Sequence, residues 1–318
     1  MQTVYLLSNK NIAKNGKDLV LEAADGKRQS VPMEQIDCVV LSRRAQISMT
    51  LIFALLEQGT PLSFVDEQGE LVASMGGNAK SVRRFLTQCE NMGDEFMCFA
   101  LTGGLIREKI RRQKLLVRSY ARQKRNNVLE KIAADLSRCR KNSKELEEIE
   151  ELCECDIMAT QMYYSAFTEI LDQSLWPWEE RNGNPAHDPV NVLLNLGYAS
   201  LERETRLAVI GARLDPRIGH FHTNGEGKDC FVYDLMELFR QPVTDRFILQ
   251  ILNDGTLTPR DFVNDGETGC RLTEKAVPVW CAAYEDYMTT PSQDFEGKAP
   301  REWVREEIRT FAERQFGA

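Results

Sequence analysis

The chain has 318 residues, enough for a full core and two domains, and its hydrophobic content of 42% is ordinary for a globular protein. It contains no run of 18 apolar residues and no charged-then-apolar secretion signal, which argues against a membrane span and against secretion. Nine cysteines without a paired framework fit a reducing cytoplasm, and the net charge of −8 does not by itself suggest nucleic-acid binding.

Residues 2–77 contain several short strand-forming segments and one helical segment. Asn15-Gly16 and Asp25-Gly26 are typical of tight turns, because these residue types tolerate positive φ. Residues 49–58 are predicted as a helix that Ser48 caps and Gly59 ends. The pattern predicts a small β-rich domain.

Residues 78–100 lead into a strongly helical region, 105–152, that has neither proline nor glycine. A break near Lys141-Asn142-Ser143 divides this region into two helices. From residue 107 to 125 there are nine basic residues and one acidic residue. Such a basic stripe can bind phosphates even in an acidic chain, although a solvated helix face is the plainer interpretation.

A further helix is predicted over residues 153–172. Residues 173–190 are loop-like, because proline, glycine and asparagine interrupt the periodicity there. Asp188-Pro189 then starts a helix that continues through Tyr198. Asn191 and Tyr198 are candidate site residues, and their plainer roles are a helix start and a half-buried tyrosine.

Two of the three histidines, His220 and His222, stand in the stretch 213–246, just before a glycine-containing turn at residues 224–227. The glycines permit positive φ, so the turn can return the chain onto a following helix. This arrangement predicts that a histidine is delivered onto the face of that helix.

The helix is predicted over residues 230–239 and carries Asp234 and Glu237. These carboxylates are three residues apart and share one face. Imidazole nitrogen and carboxylate oxygen together suit Mg²⁺ or Mn²⁺. A solvated face beside a structural histidine fits the spacing as well. Beyond this helix the pattern predicts a turn at Gly255, a short β-like element and a terminal helix over residues 301–316.

The order of residues in the stretch 213–246 resembles the hallmark of the CRISPR-associated spacer integrase/endonuclease family, the first and universal CRISPR adaptation proteins. Family members carry L-D-P-x-x-G-x-x-H and then D-L-M-E-x-x-R-P-x-x-x-D-R. The matching residues here are Leu214-Asp215-Pro216, Gly219, His222, Asp234-Leu235-Met236-Glu237, Arg240, Pro242 and Asp245-Arg246. His220 stands where the family commonly has an apolar residue.

The resemblance extends over nearly the whole chain and implies three metal ligands. Alignment through Ala159 and Tyr163-Tyr164 places Asp156 where the family usually has a glutamate ligand, with Glu154 as the second choice. The implied ligands are Asp156, His222 and Glu237, and the implied catalytic residues are His222, Asp234 and Glu237. Asp234 is assigned to holding His222 or a metal-bound water.

The family also implies contacts to DNA. A K-x-x-x-Q element that the family keeps on the basic helix is matched by Lys109 and Gln113, which favours phosphate binding for the stripe. The implied phosphate contacts are Lys109, Arg111, Arg112, Arg118 and Lys228.

The implied fold class is α+β, with a β-rich dimerisation domain (1–77), a linker and helix (78–100) and a helical catalytic domain with the metal site (101–318). The implied reaction inserts short foreign DNA, or spacers, into a CRISPR array by transesterification from 3′-hydroxyl ends, with Mg²⁺ or Mn²⁺ as cofactor. The implied partners are double-stranded DNA (spacer precursor and repeat), a second copy of the chain and the small second CRISPR adaptation protein.

Two other functions remain open at this point. A structure-specific, metal-dependent DNA nuclease would use the same site with water as the nucleophile. A catalytically silent DNA-binding scaffold of the adaptation complex is the other, because an aspartate stands at position 156 and the chain is acidic.

Overall fold

A computed structural model describes residues 2–6, 11–22, 28–76, 79–183, 185–222, 228–264 and 269–317. The turns expected at Asp25-Gly26 and at residues 224–227 lie outside these ranges. The described chain forms a strand-rich N-terminal part and a larger helical part, so the predicted α+β class is confirmed.

Two sheets make up the strand-rich part. The strands are β1 (Gln2–Leu6), β2 (Asn11–Asn15), β3 (Asp18–Glu22), β4 (Arg28–Pro32), β5 (Ile36–Ser42), β6 (Leu62–Val65) and β7 (Leu71–Met75). One sheet has the order β1-β5-β6-β7, in which β1, β5 and β6 are parallel and β7 is an antiparallel edge strand. The other is the antiparallel meander β2-β3-β4, whose first hairpin turns at Gly16 with φ 63°.

The helix α1 (Met49–Glu57) makes the crossover between the parallel strands β5 and β6. The Ser48 side chain accepts a hydrogen bond from the Leu51 amide at 3.2 Å, which satisfies one free donor of the first helical turn. This helix and its Ser48 cap therefore confirm the prediction of a helix over residues 49–58.

The central strand β5 is buried on both faces. Val39 and Leu41 pack into the core of the strand-rich part, whereas Cys38 and Val40 pack against Leu207 of the helical part. Apolar side chains on both faces are what a strand buried on both sides requires. The sheet is therefore held directly against the helical part.

The helical part begins with the helix expected within residues 78–100. Its helices are α2 (Ala79–Gly93), α3 (Glu95–Lys124), α4 (Asn127–Asn142), α5 (Ile149–Ser165), α6 (Phe167–Ile170), α7 (Pro189–Gly211), α8 (Cys230–Met236), α9 (Arg246–Asp254), α10 (Ala276–Thr289) and α11 (Pro300–Phe316). This part also holds a two-stranded antiparallel sheet, β8 (Phe262–Asn264) with β9 (Cys270–Leu272), and β9 corresponds to the predicted short β-like element.

The long helical region breaks at two points rather than one. The break at Ser143 is confirmed, and another separates α3 from α4, where Arg125 adopts a left-handed φ of 51°. The Asn126 side chain then caps α4 by accepting from the amides of Val128 and Leu129. Asparagine capping permits this break without proline or glycine.

Two helices meet through a π-helical turn, Arg240–Asp245, that joins the end of α8 to α9. The turn packs against α7 at Gly197, where an added Cβ would come 2.5 Å from the Thr244 methyl carbon. Glycine at position 197 therefore lets the two backbones approach closely. Across the described residues, no helix is long and apolar enough to span a bilayer.

Candidate metal and nucleic-acid site

Asp234 organises the loop that carries the two histidines. This fully buried carboxylate accepts hydrogen bonds from the backbone amides of His220 (2.6 Å), Phe221 (3.1 Å) and His222 (2.8 Å). It also lies 2.8 Å from the His222 Nδ1. Because an ionised carboxylate only accepts, Nδ1 is the donor and the neutral ring keeps its lone pair on Nε2.

This arrangement orients His222 as a ligand-type imidazole. A ring nitrogen that donates to a buried carboxylate fixes both tautomer and orientation, as is usual behind metal-binding histidines. The side chain of His222 is 39% exposed, so Nε2 can be reached from solvent. His220 instead is buried against Phe231 and Phe316, so its role is packing.

Three elements bring Asp156 and Glu237 together around Lys109. Asp156 lies on α5, Lys109 lies on α3, and Glu237 follows the last residue of α8. The Lys109 Nζ lies 2.8 Å from Asp156 Oδ2 and 2.9 Å from Glu237 Oε2. The Arg240 Nε lies 2.8 Å from the other oxygen of Glu237. The ammonium group therefore bridges two of the three predicted ligands.

Burial and ion pairing give the two carboxylates different proton affinities. Burial raises the pKa of Asp156 above its ordinary value and outweighs the opposing attraction of Lys109 and His222. Burial acts in the same direction on Glu237, but Arg240 and Lys109 outweigh it and hold that pKa at about 2. Burial would lower the pKa of Lys109, yet the two carboxylates outweigh this effect and raise it. Lys109 is therefore a charged ammonium at neutral pH.

The candidate ligand atoms of Asp156, Glu237 and His222 are of the types that a hard divalent metal ion accepts. Asp156 Oδ1 is buried without a hydrogen-bond partner, which is costly unless a cation or a donor is bound there. Carboxylate oxygens and an imidazole nitrogen are ligands that Mn²⁺ and related ions accept. As the described side chains stand, no three histidine, cysteine or carboxylate groups converge closely enough to hold an ion. Lys109 is inserted between two of the candidates, and a bound ion would compete with it.

Glu154, the second choice on the same helix, is exposed at the surface of α5. Two helical residues separate side chains by roughly 200°, so Glu154 and Asp156 face different directions. The structure thus places Asp156, and not Glu154, beside Lys109 and Glu237.

Asn191 is fully buried and holds the loop before α7. Its amide nitrogen donates to the Glu180 carbonyl (2.9 Å) and to Asp188 (2.6 Å), while its oxygen accepts from Arg181 (2.8 Å). The side chain therefore positions Arg181 and the start of α7, which corresponds to the helix-start role in the sequence.

Tyr198 belongs to a buried network behind Glu237. Its hydroxyl donates to Asp245 at 2.7 Å, and the Tyr163 hydroxyl donates to the other Asp245 oxygen at 2.6 Å. The Arg240 guanidinium lies 4.4 Å from the centre of the Tyr198 ring. The network thus fixes the ring on which Arg240 rests while Arg240 contacts Glu237.

Sequence reasoning assigned no role to several of these residues. Asp245 and Arg240 stood within the recognised motif, and Tyr163 was used only to align α5. Arg181 stood in a segment treated as loop, although it donates to two asparagine side chains and lies over Tyr198. The signal that was available in the sequence is an arginine followed by two asparagines, Asn182 and Asn184, in a segment that leads into a helix.

Lys109 and Arg112 do not share the exposed surface expected for a basic stripe. Both are buried, because their face of α3 packs inside the helical part. The Arg112 guanidinium donates to Glu108 (2.7 Å), the Leu238 carbonyl (2.7 Å) and Glu307 (2.8 Å). These two residues therefore join helices rather than forming part of the solvated surface.

The other predicted phosphate contacts lie on the surface. Arg111 is half-buried and donates twice to Glu108, both times at 2.7 Å, whereas Arg118 and Lys228 are exposed. Lys228 directly follows residues 223–227, which lie outside the described ranges. DNA binding by these three side chains stays a prediction.

The family described as CRISPR associated protein Cas1 matches residues 4–286. The chain belongs to the Cas1 family. The family resemblance inferred from residues 213–246 is thereby confirmed.

Related Cas1 proteins come from several bacteria. A Cas4/endonuclease Cas1 fusion from Rhodospirillum rubrum is 31% identical, and the alignment covers 86% of this chain and 48% of the fusion. An endonuclease Cas1 from Thermus thermophilus is 26% identical over 89% of this chain and 83% of its own. The chain thus spans about half of the fusion and most of the Thermus relative.

Solved structures share the fold at low sequence identity. A casposase bound to integration product has a TM-score of 0.81 at 17% identity, covering 99% of this chain and 96% of its own. A partial Cas6-RT-Cas1–Cas2 complex gives a TM-score of 0.80 at 19% identity, covering 100% and 97%. The Cas1 fold therefore extends over both parts of the molecule.

Proposed function

We propose that this Cas1-family chain is a metal-dependent DNA integrase and endonuclease that inserts short DNA segments into a CRISPR array. The observation that carries the proposal is that Asp156 and Glu237 meet at Lys109 and one buried oxygen of Asp156 has no partner, while Asp234 orients the ring of His222. Relatives named as Cas1 endonucleases support the same class of reaction.

In this proposal Asp156, His222 and Glu237 hold Mg²⁺ or Mn²⁺. When bound, the ion lowers the pKa of the attacking 3′-hydroxyl and neutralises charge that develops on the phosphate. Asp234 keeps the His222 Nε2 lone pair turned away from itself, and Arg240 fixes the Glu237 carboxylate. The attacking 3′-oxygen forms a new bond to phosphorus and gives its proton to water, while the bond from phosphorus to the leaving 3′-oxygen breaks and that oxygen takes up a proton from water to become a hydroxyl.

The proposed partners are double-stranded DNA, a second copy of the chain and the small second CRISPR adaptation protein. A neighbouring fold was solved with an integration product, and another stands in a complex with Cas2. Exposed Arg118 and Lys228 supply charge for phosphates. The exposed apolar edge of the N-terminal sheet, described below, supports self-association.

The test is a strand-transfer assay on a supercoiled plasmid that carries a CRISPR repeat, with short duplex DNA and Mn²⁺. The assay includes the second adaptation protein. Wild type should yield joined, branched products, and His222→Ala and Asp156→Asn should lower the rate by at least about 100-fold. Glu154→Gln, a matched acid-to-amide change on the same helix, should keep wild-type activity.

Product structure separates the three candidate functions. Cleaved plasmid without joined DNA would mean that water is the nucleophile and that the protein is a nuclease. DNA binding without any covalent product would identify a scaffold. Unchanged activity in His222→Ala would remove the proposed site altogether.

A further inference from the structure

Two thiols face each other across the helices α4 and α5, close to the site. The Sγ atoms of Cys139 and Cys155 lie 3.1 Å apart. Each sulfur also lies near the other residue's backbone carbonyl oxygen, at 3.6 Å for Cys139 Sγ and 3.9 Å for Cys155 Sγ. Both cysteines are free thiols in this structure.

Cys139 and Cys155 face each other, whereas the nearby Cys153 does not face either of them. Cys153 precedes Cys155 by two residues, so its side chain leaves α5 in a direction roughly 200° away. Cys139 is partly accessible to solvent, whereas Cys155 is 4% exposed. One sulfur is therefore open to a small oxidant while its partner is held in contact from the interior.

We propose that Cys139 and Cys155 form a reversible modification site, an intramolecular disulfide between α4 and α5. A disulfide needs an S–S distance of about 2.05 Å, so the sulfurs must approach by roughly 1 Å. Side-chain rotation and a small shift of one helix supply such a movement. In a reducing cytoplasm the pair stays as two thiols until an oxidant arrives.

A hydroperoxide completes the chemistry. The Cys139 thiolate attacks one peroxide oxygen, which gives a sulfenic acid and, from hydrogen peroxide, one molecule of water after protonation. The Cys155 sulfur then attacks the Cys139 sulfur, the S–S bond forms, and the sulfenic oxygen leaves as a second molecule of water. Two thiols are oxidised by two electrons, and one peroxide is reduced.

Reaction begins at Cys139 because an oxidant in solvent can reach its sulfur. Cys155 is only 4% exposed, so a peroxide molecule does not approach that sulfur directly. A buried thiol of this kind is a poor first nucleophile. Held against the sulfenic sulfur, however, it needs no second molecule to reach its target.

The disulfide would restrict the movement of the helix that carries Asp156. Cys155 directly precedes Asp156 in α5, and α5 connects to α4 through residues 143–148. The crosslink closes a loop between positions 16 apart and restricts how far α5 can move from α4. We expect slower backbone amide exchange in the first half of α5 after oxidation.

The experiment exposes the full chain to hydrogen peroxide, quenches with catalase, and measures intact mass and tryptic peptides. Wild type should lose about 2 Da, two hydrogens, and yield one linked peptide pair that contains Cys139 and Cys155. Dithiothreitol should restore the original mass. The rate should not change on tenfold dilution of the protein, because the reaction is intramolecular.

Matched serine variants complete the test. Cys139→Ser and Cys155→Ser should each abolish the linked peptide and the slower amide exchange. Cys153→Ser and Cys281→Ser should leave both unchanged. A linked peptide that involves other cysteines instead, or sulfinic acid at Cys139 without any linked peptide, would overturn the proposal. None of these readouts depends on DNA binding or on metal-dependent catalysis. The outcome of this experiment is therefore independent of the proposed function.

Discussion

At the residue scale, Lys109 decides the electrostatics of the candidate metal site. Its ammonium nitrogen stands 2.8 and 2.9 Å from the carboxylates of Asp156 and Glu237. Metal–oxygen distances for Mg²⁺ are shorter, about 2.0–2.1 Å, so an ion would draw the carboxylates closer together than the ammonium does. Lys109 therefore supplies positive charge to the site when no metal is bound.

This role predicts how Lys109→Met behaves. Without the ammonium, Asp156 and Glu237 repel each other in a buried place, and we expect a loss on the order of 3 kcal/mol in the metal-free state. Mn²⁺ should raise the melting temperature of this variant more than that of wild type. Thermal unfolding with and without Mn²⁺ measures both effects.

Lys114→Met, on the same helix and half-buried, serves as the control and should match wild type in both conditions. If Mn²⁺ left the melting temperature of Lys109→Met unchanged, the carboxylates would not be metal ligands.

Asp245 carries a second electrostatic feature at this scale. Burial raises its pKa from 3.8 to about 6, although Tyr163 and Tyr198 both donate to it. The folded state therefore binds a proton more tightly than the unfolded chain does. Its contribution to stability is full below about pH 4 and is lost as the pH rises through about 6.

Asp245→Asn should remove this dependence on pH. The stability of wild type relative to the variant should fall between about pH 4 and 6, with a slope of at most about 1.4 kcal/mol per pH unit, and be constant above. Urea unfolding of both proteins at several pH values measures the difference. Parallel stability curves would show that Asp245 is already ionised throughout this range.

At the element scale, α3 divides its basic residues between two faces. One face buries Lys109 and Arg112 against the rest of the helical part, and another presents Arg118 and Arg122 to solvent. Sequence proximity grouped these side chains, but the helical rotation separates them. The exposed face alone can meet the phosphates of a duplex.

Arg118→Gln should weaken duplex DNA binding and reduce the slope of log K against log salt by about 0.9. Fluorescence anisotropy over a series of salt concentrations gives the slope. Arg138→Gln, an exposed arginine on α4 paired with Asp135, is the matched control and should leave the slope unchanged.

Arg112→Gln should act differently from Arg118→Gln. It removes buried hydrogen bonds to Glu108, Leu238 and Glu307, so it should destabilise the fold by on the order of 2 kcal/mol.

Equal effects of Arg118→Gln and Arg138→Gln on the salt slope would identify the face of Arg118 as an ordinary solvated surface.

At the scale of the whole molecule, the N-terminal sheet ends in an open apolar edge. All five residues of β7 are exposed, including Leu71, Val72 and Met75, and Met49 and Phe53 of α1 are exposed as well. An edge strand with free backbone groups and apolar side chains is a template for pairing with another chain. This observation supports the expected homodimer through residues 1–77.

Val72→Lys should therefore convert a dimer at micromolar concentration into a monomer, because charge on an edge strand opposes pairing. Light scattering measures the molar mass. Val82→Lys places the same change at a similarly exposed valine of α2, 58% exposed against 61%, and should keep the dimer. A monomeric wild type, or a dimer that survives Val72→Lys, would contradict this interface.

The sequence by itself determined the family, the fold class and several helix boundaries. Local signals were sufficient where one residue controls one boundary, as with Ser48 at α1, Gly16 between β2 and β3, and Asp188-Pro189 at α7. The order of motif residues around His222 identified the family, because a long ordered pattern rarely arises by chance. Alignment with the family through Ala159 and Tyr163-Tyr164 also chose Asp156 over Glu154 as the candidate ligand.

Only the tertiary structure decided which charges meet. Lys109 and Arg112 belong to a basic run in the sequence, and their burial depends on which face of α3 the other helices cover. The contact of Cys139 with Cys155, and that of Asp245 with two tyrosines, joins residues on different elements. Local sequence specifies which residues share a face of a helix. Which residues of other elements that face contacts is decided by how the helices pack.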